Sequence, residues 1–168
     1  MFGCISIRCV FCGALNAFEL HNPRPRDGRG SGSSTIRVGE AGPNLAARPL
    51  AAKCCSYGHL IRFDRPVIVS EKDFEATVLK AGVPVLVDFY ADWCGTCQRL
   101  DAPIERLARM RLGTILVVKI NVQAARRLAQ RYEVRTLPTL LVFRHGREVS
   151  RRAGALRTAE LEELVDEA

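Results

Sequence analysis

One junction leaves this chain few ways to fold: Val85-Leu86-Val87-Asp88-Phe89-Tyr90 runs through Ala91-Asp92-Trp93 into Cys94-Gly95-Thr96-Cys97. Apart from Asp88 the first stretch is aliphatic, β-branched or aromatic, which suits a short strand buried on both faces. From Gln98 to Met110 the apolar residues Leu100, Ile104, Leu107 and Ala108 recur at helical spacing. The two thiols therefore fall where a strand ends and a helix begins.

That position carries chemistry. A helix N-terminus presents unpaired N–H groups and a partial positive charge, and both favour an anion. Cys94, the outer thiol, is expected to have a depressed pKa and to be the nucleophile. Cys97, one turn in and on the same face, is placed to close a disulfide with Cys94 or to resolve a mixed disulfide. A pair at this spacing can also be half of a zinc site, but that needs a second ligand pair, and between Gln98 and Ala168 the only other Cys or His is His145. Asp88 is out of place in an apolar strand. Burial disfavours its charged form, so its pKa should rise toward neutrality, where it could exchange protons with a thiol.

A chain of 168 residues holds one domain with a sizeable core and an appendage, not two ordinary domains. The net charge is +7, with 8 basic against 3 acidic residues up to Arg62 and 17 against 15 beyond it. That basic segment has no interleaved aromatics and no basic helix, so a solvated region is expected rather than a nucleic-acid surface. No run approaches the roughly 18 apolar residues of a membrane span. The first residues hold Cys4, Cys9, Cys12 and Arg8 without a charged leader or a small-residue cleavage site, so neither a signal nor a transit peptide is expected. A cytoplasmic setting follows, in which a C-x-x-C is catalytic rather than structural.

Two parts are expected: a cysteine-containing segment over 1–62, with a Pro-, Arg-, Gly- and Ser-rich disordered linker at 21–50, and a folded domain over 63–168. In the second part a strand at Val67–Val69 precedes a helix through Phe74, Val78 and Leu79, started by a Ser70/Asp73 capping box and ended by Gly82. After the central strand and the cysteine-bearing helix, which Pro103 should kink, come a strand at Thr114–Asn121 and a helix at Ala124–Tyr132. A hairpin turning at His145-Gly146 and a helix at Thr158–Ala168 close the order, an α/β pattern with a mixed sheet.

Trp93-Cys94-Gly95-Thr96-Cys97 after Val87-Asp88-Phe89-Tyr90-Ala91, with Thr136-Leu137-Pro138-Thr139 further on, resembles the thioredoxin family from about Val67 to the C-terminus. The resemblance implies the thioredoxin fold, a mixed sheet flanked by helices, and a protein-disulfide reductase working by thiol–disulfide exchange. It implies that Asp88 lies beneath the dithiol as acid and base for Cys97, that Lys119 tunes Asp88, and that Leu137–Pro138 is cis beside the dithiol. Trp93, Gly95, Thr96, Leu137, Pro138 and Gly154 would meet an extended substrate segment as an added strand. Disulfide-containing proteins are the implied substrates, an NADPH-dependent thioredoxin reductase the implied partner, and a monomer the implied state, with no cofactor in the catalytic domain. Thr96 stands where the family most often has proline. A freed N–H there should stabilise the Cys94 thiolate and make the couple more oxidising.

Cys9-Val10-Phe11-Cys12 and the later Lys53-Cys54-Cys55-Ser56-Tyr57-Gly58-His59 resemble the zinc ribbon that precedes the catalytic domain in a subclass of bacterial thioredoxins. Tyr57 occupies the place of the fourth cysteine. The resemblance leaves Cys9, Cys12 and Cys54, with His59 or Cys55, as candidate Zn²⁺ ligands, against a degenerate ribbon that binds no metal. Two rival functions remain open: a disulfide isomerase or oxidant, which requires export, and a redox-sensing holdase.

Overall fold

The computed structural model describes residues 3–8, 15–20, 51–53, 60–154 and 156–167. The candidate zinc ligands Cys9, Cys12, Cys54 and His59, and the expected linker at 21–50, lie outside the described residues.

Two hairpins open the chain where no strands were expected: β1 (Gly3–Arg8) pairs antiparallel with β2 (Leu15–Leu20), and β3 (Ala51–Lys53) with β4 (Leu60–Arg62). Ile5 and Ile7 alternating with Ser6 and Arg8 is the period-two signal that marks β1. Ile7 is buried at 2 % exposure in the same core cluster as Phe63, Val69, Phe74 and Val87.

The remaining strands are β5 (Val67–Ile68), β6 (Val85–Tyr90), β7 (Leu116–Asn121), β8 (Thr139–Arg144) and β9 (Arg147–Ala153). They form one mixed sheet in the order β5-β7-β6-β8-β9, parallel from β5 through β7 to β6 and antiparallel onward. β6 is central, and Val85 to Phe89 are buried on both of its faces, which is why it reads as a nearly continuous apolar run.

Helices α1 (Gly95–Met110) and α3 (Thr158–Asp166) cover one face. There Leu100, Ile104 and Leu107 of α1 and Leu161 and Leu164 of α3 pack on Leu86, Val117, Leu140 and Val142. The other face carries α2 (Arg126–Arg131) and the helical segment after β5, whose Phe74 and Val78 pack with Leu128 on Val87, Phe89 and Phe143. Tyr132 packs there tilted against Phe74 and edge-to-face with Phe143, with ring centroids 5.3 Å apart in both pairs.

The expected helix from Ser70 is not a regular α-helix. A tight 3₁₀ turn at Glu71–Asp73 gives way to a wide π turn at Glu75–Leu79, with the Lys80 N–H donating to the Glu75 carbonyl at 3.0 Å. The Ser70 hydroxyl donates to the Asp73 carboxylate at 2.6 Å and caps no backbone N–H. The pair that promised a capping box is thus satisfied side chain to side chain, and the backbone begins with an i to i+3 bond from the Asp73 N–H to the Ser70 carbonyl.

Candidate active site

Cys94 is the N-cap of α1. Its backbone is extended (φ −84°, ψ 98°), and its Sγ accepts the Cys97 N–H at 3.2 Å, the position a Ser or Asp oxygen takes at an ordinary N-cap. Cys94 and Cys97 are joined as a disulfide with their Cα atoms 5.3 Å apart. After reduction the same N–H and the helix dipole would face a Cys94 thiolate, a charge-assisted arrangement that favours the anion.

Thr96 acts through its side chain. Its Oγ1 lies 3.2 Å from Cys94 Sγ and 3.4 Å from the Leu137 carbonyl oxygen. In the disulfide form the backbone N–H at the sulfur belongs to Cys97, and Thr96 adds a hydroxyl contact.

Cys94 opens onto a groove of about 460 Å³ lined also by Trp93, Gly95, Thr96, Val122, Val134, Arg135 and Leu137, whereas Cys97 does not line it. Trp93 is 70 % exposed on its rim, and a Cβ on Gly95 would meet nothing within 4 Å, so the approach to the sulfur is flat there. The Leu137–Pro138 bond is cis. The Gly154 N–H donates to the Pro138 carbonyl at 2.8 Å, and the Thr139 hydroxyl donates to the Thr136 carbonyl at 2.5 Å. The first bond ties the start of β8 to the end of β9 beside the dithiol, and the second braces the turn that carries Pro138.

Asp88 sits on the α1-facing side of β6, fully buried, with neither carboxylate oxygen hydrogen-bonded. Directly across the register, Lys119 holds its Nζ 3.6 Å from Asp88 Oδ2, an ion pair beyond hydrogen-bond length. Burial pushes the Asp88 pKa up to about 6, Lys119 pulling it down and Asp101 pushing it up. Burial works against the Lys119 ammonium, yet its hydrogen bond to Asp101 and the charges of Asp88 and Asp101 outweigh that and raise its pKa.

The structure therefore gathers Cys94, Gly95, Thr96, Trp93 and Leu137 around one groove, joins Pro138 to Gly154 beside it, and pairs Asp88 with Lys119 on the sheet face that α1 covers. Sequence reasoning overlooked Val122, Val134, Arg135 and Asp101. Val134 and Arg135 directly precede Thr136-Leu137-Pro138, and Asp101 follows Cys97 by one helical turn, so position alone could have flagged them.

The thioredoxin family model matches residues 65–167. The chain is 32% identical over 158 residues, 88% of its length and 90% of the relative's, to thioredoxin M5, chloroplastic, of Oryza sativa subsp. japonica. It is 36% identical over 98 residues, 58% of its length and 92% of the relative's, to thioredoxin 1 of Nostoc sp.. Among solved structures it is similar to a mutant thioredoxin from Halobacterium salinarum, with a TM-score of 0.53 and 35% identity over 62% of this chain and 90% of that one.

Proposed function

The chain belongs to the thioredoxin family of thiol–disulfide oxidoreductases, and on that premise we propose that it is a protein-disulfide reductase working through the Cys94–Cys97 dithiol. The observation that carries this reading is Cys94 Sγ capping α1 and opening onto the groove, with Cys97 disulfide-bonded behind it. The Cys94 thiolate attacks one sulfur of a substrate disulfide; that S–S bond breaks, and the first substrate sulfur leaves as a thiolate. Cys97 then gives its proton to the Asp88 carboxylate and attacks Cys94 Sγ. The Cys94–substrate bond breaks, the second substrate thiolate leaves, and the substrate has gained two electrons while the protein holds the Cys94–Cys97 disulfide.

Asp88 is the acid and base of this scheme, since a buried carboxyl with a pKa of about 6 is poised to take and return a proton near neutral pH. The extended substrate segment lies in the groove between Trp93 and Leu137, next to Pro138 and Gly154. Electrons for the next cycle come from an NADPH-dependent thioredoxin reductase, and the protein works as a monomer in a reducing compartment, the cytoplasm, where it contributes to redox homeostasis. No helix among the described residues is long and apolar enough to cross a membrane. The division into 1–62 and 63–168 belongs to the same reading, the earlier part being either a Zn²⁺-binding ribbon or a degenerate one that binds no metal.

Single-residue replacement tests it. With the pre-reduced protein freed of external thiol and mixed with a disulfide-bonded test protein, Cys94→Ser should leave the substrate disulfide intact, and Cys97→Ser should stop at mixed disulfides that accumulate on non-reducing gels. Wild-type disulfide reduction by Cys97→Ser would overturn the two-thiol mechanism, whereas suppression of protein aggregation that survives both replacements, with no disulfide reduction by the wild type, would leave the holdase.

A further inference from the structure

The Lys119 ammonium stands between two carboxylates brought from different elements. Asp88 lies opposite it in the register of β6 and β7, and Asp101 reaches it from the second turn of α1. Lys119 donates a hydrogen bond to Asp101 Oδ1, while its distance to Asp88 Oδ2 stays at 3.6 Å. The same Nζ rides 4.5 Å above the centre of the Tyr90 ring. Asp101 is 47 % exposed on its solvent side, Lys119 is 14 % exposed, and Asp88 is sealed.

The unequal sharing has a chemical consequence. An ammonium hydrogen-bonded to a buried carboxylate locks it as an anion, and such an anion is a poor base. Here the hydrogen bond goes to the outer carboxylate, and the inner one receives only the longer ion pair. We propose that Asp101 is a positioning residue for the proton exchange of the dithiol: it holds Lys119 outward and so keeps Asp88 able to take a proton from Cys97 and return it. This rests on the reading of Asp88 as the acid and base of the resolving step.

Two effects of Asp101 act with one sign. Its negative charge disfavours a second anion at Asp88, and its hydrogen bond keeps Lys119 from closing on Asp88. The other groups facing Asp88 do not compete. β6 contributes Tyr90 and β8 places Leu140 opposite, while Cys94 and Cys97 do not titrate as a disulfide.

The test is the titration of the Asp88 side-chain carboxyl by carbon-13 NMR in the oxidised protein, beside the pH profile of mixed-disulfide resolution. Asp101→Asn should lower the Asp88 midpoint by about one unit from its value near 6, and move the acid limb of the profile the same way. Asp101→Glu should restore both. Asp101→Asn made in a Lys119→Met background should shift the midpoint less, because no ammonium is left to be released. An Asp88 midpoint that is unchanged or raised in Asp101→Asn, or a shift of equal size with and without Lys119, would overturn the proposal. Wild-type resolution by Asp88→Asn would instead overturn the underlying acid–base role, and the titration would still report on Asp101.

Discussion

Asp88 and Thr96 carry the most specific consequences of single side chains. Asp88 has an ordinary carboxyl pKa of 3.8 when unfolded and one of about 6 when folded, so between those values the native state holds a proton that the unfolded state has lost. Stability is therefore greatest below the unfolded value and declines as pH rises through the folded one, by about 3 kcal/mol in all. Asp88→Asn cannot ionise. It should be more stable than the oxidised wild type at pH 7.5 by about 3 kcal/mol in guanidinium unfolding, with the gain vanishing near pH 4; a gain independent of pH would contradict this account. At Thr96 one hydroxyl proton faces two acceptors, Cys94 Sγ and the Leu137 carbonyl. Donation to a thiolate stabilises the reduced form, so Thr96→Val should lower the reduction potential by about 30 mV, the worth of one charge-assisted hydrogen bond of about 1.5 kcal/mol. Thr96→Pro should move it the same way. Equilibration of each variant with glutathione, followed by Trp93 fluorescence, reads the shift, and equal potentials would remove Thr96 from the argument.

At the scale of elements, the β8–β9 turn and the π turn constrain each other. His145 (φ 52°) and Gly146 (φ 75°) both take left-handed backbone, the geometry of a tight two-residue hairpin turn. A Cβ on Gly146 would stand 2.7 Å from the Leu79 carbonyl oxygen, so the turn is pressed against the end of the helical segment on the neighbouring face. Gly146→Ala should cost about 1–3 kcal/mol from the backbone conformation and the contact together, read as a lowered denaturation midpoint with an unchanged slope. The apolar stripe of α1 was legible in the sequence because burial enforces its helical period, β6 because a strand buried on both faces is a continuous apolar run, and the β8–β9 hairpin because His145-Gly146 marks its turn. The π turn was not, since its apolar residues fit an ordinary helix, and only the backbone bonds from the Asp73 N–H to Ser70 and from the Lys80 N–H to Glu75 reveal the altered winding.

On the scale of the whole molecule, Ile7 joins the N-terminal hairpin to the core that Phe63, Phe74 and Val87 share. Ile7→Ala should lower the unfolding free energy of the catalytic core by about 2–5 kcal/mol, the range for truncating a buried aliphatic side chain, whereas a hairpin that folds apart from that core would leave its midpoint unmoved. The strand-to-helix junction, the two thiols at a helix N-terminus, the misplaced Asp88 and the α/β order are all readable from the order of residues, because these are local or patterned properties that burial and helix polarity impose on any chain bearing them. The tertiary structure alone decided that Ile7 enters the core, that Thr96 reaches both a sulfur and the Leu137 carbonyl, and that Asp101 takes the hydrogen bond of Lys119. Each of those contacts joins residues far apart in the chain or turns on the direction of one side chain, and no composition or period encodes which distant partner a polar group will meet.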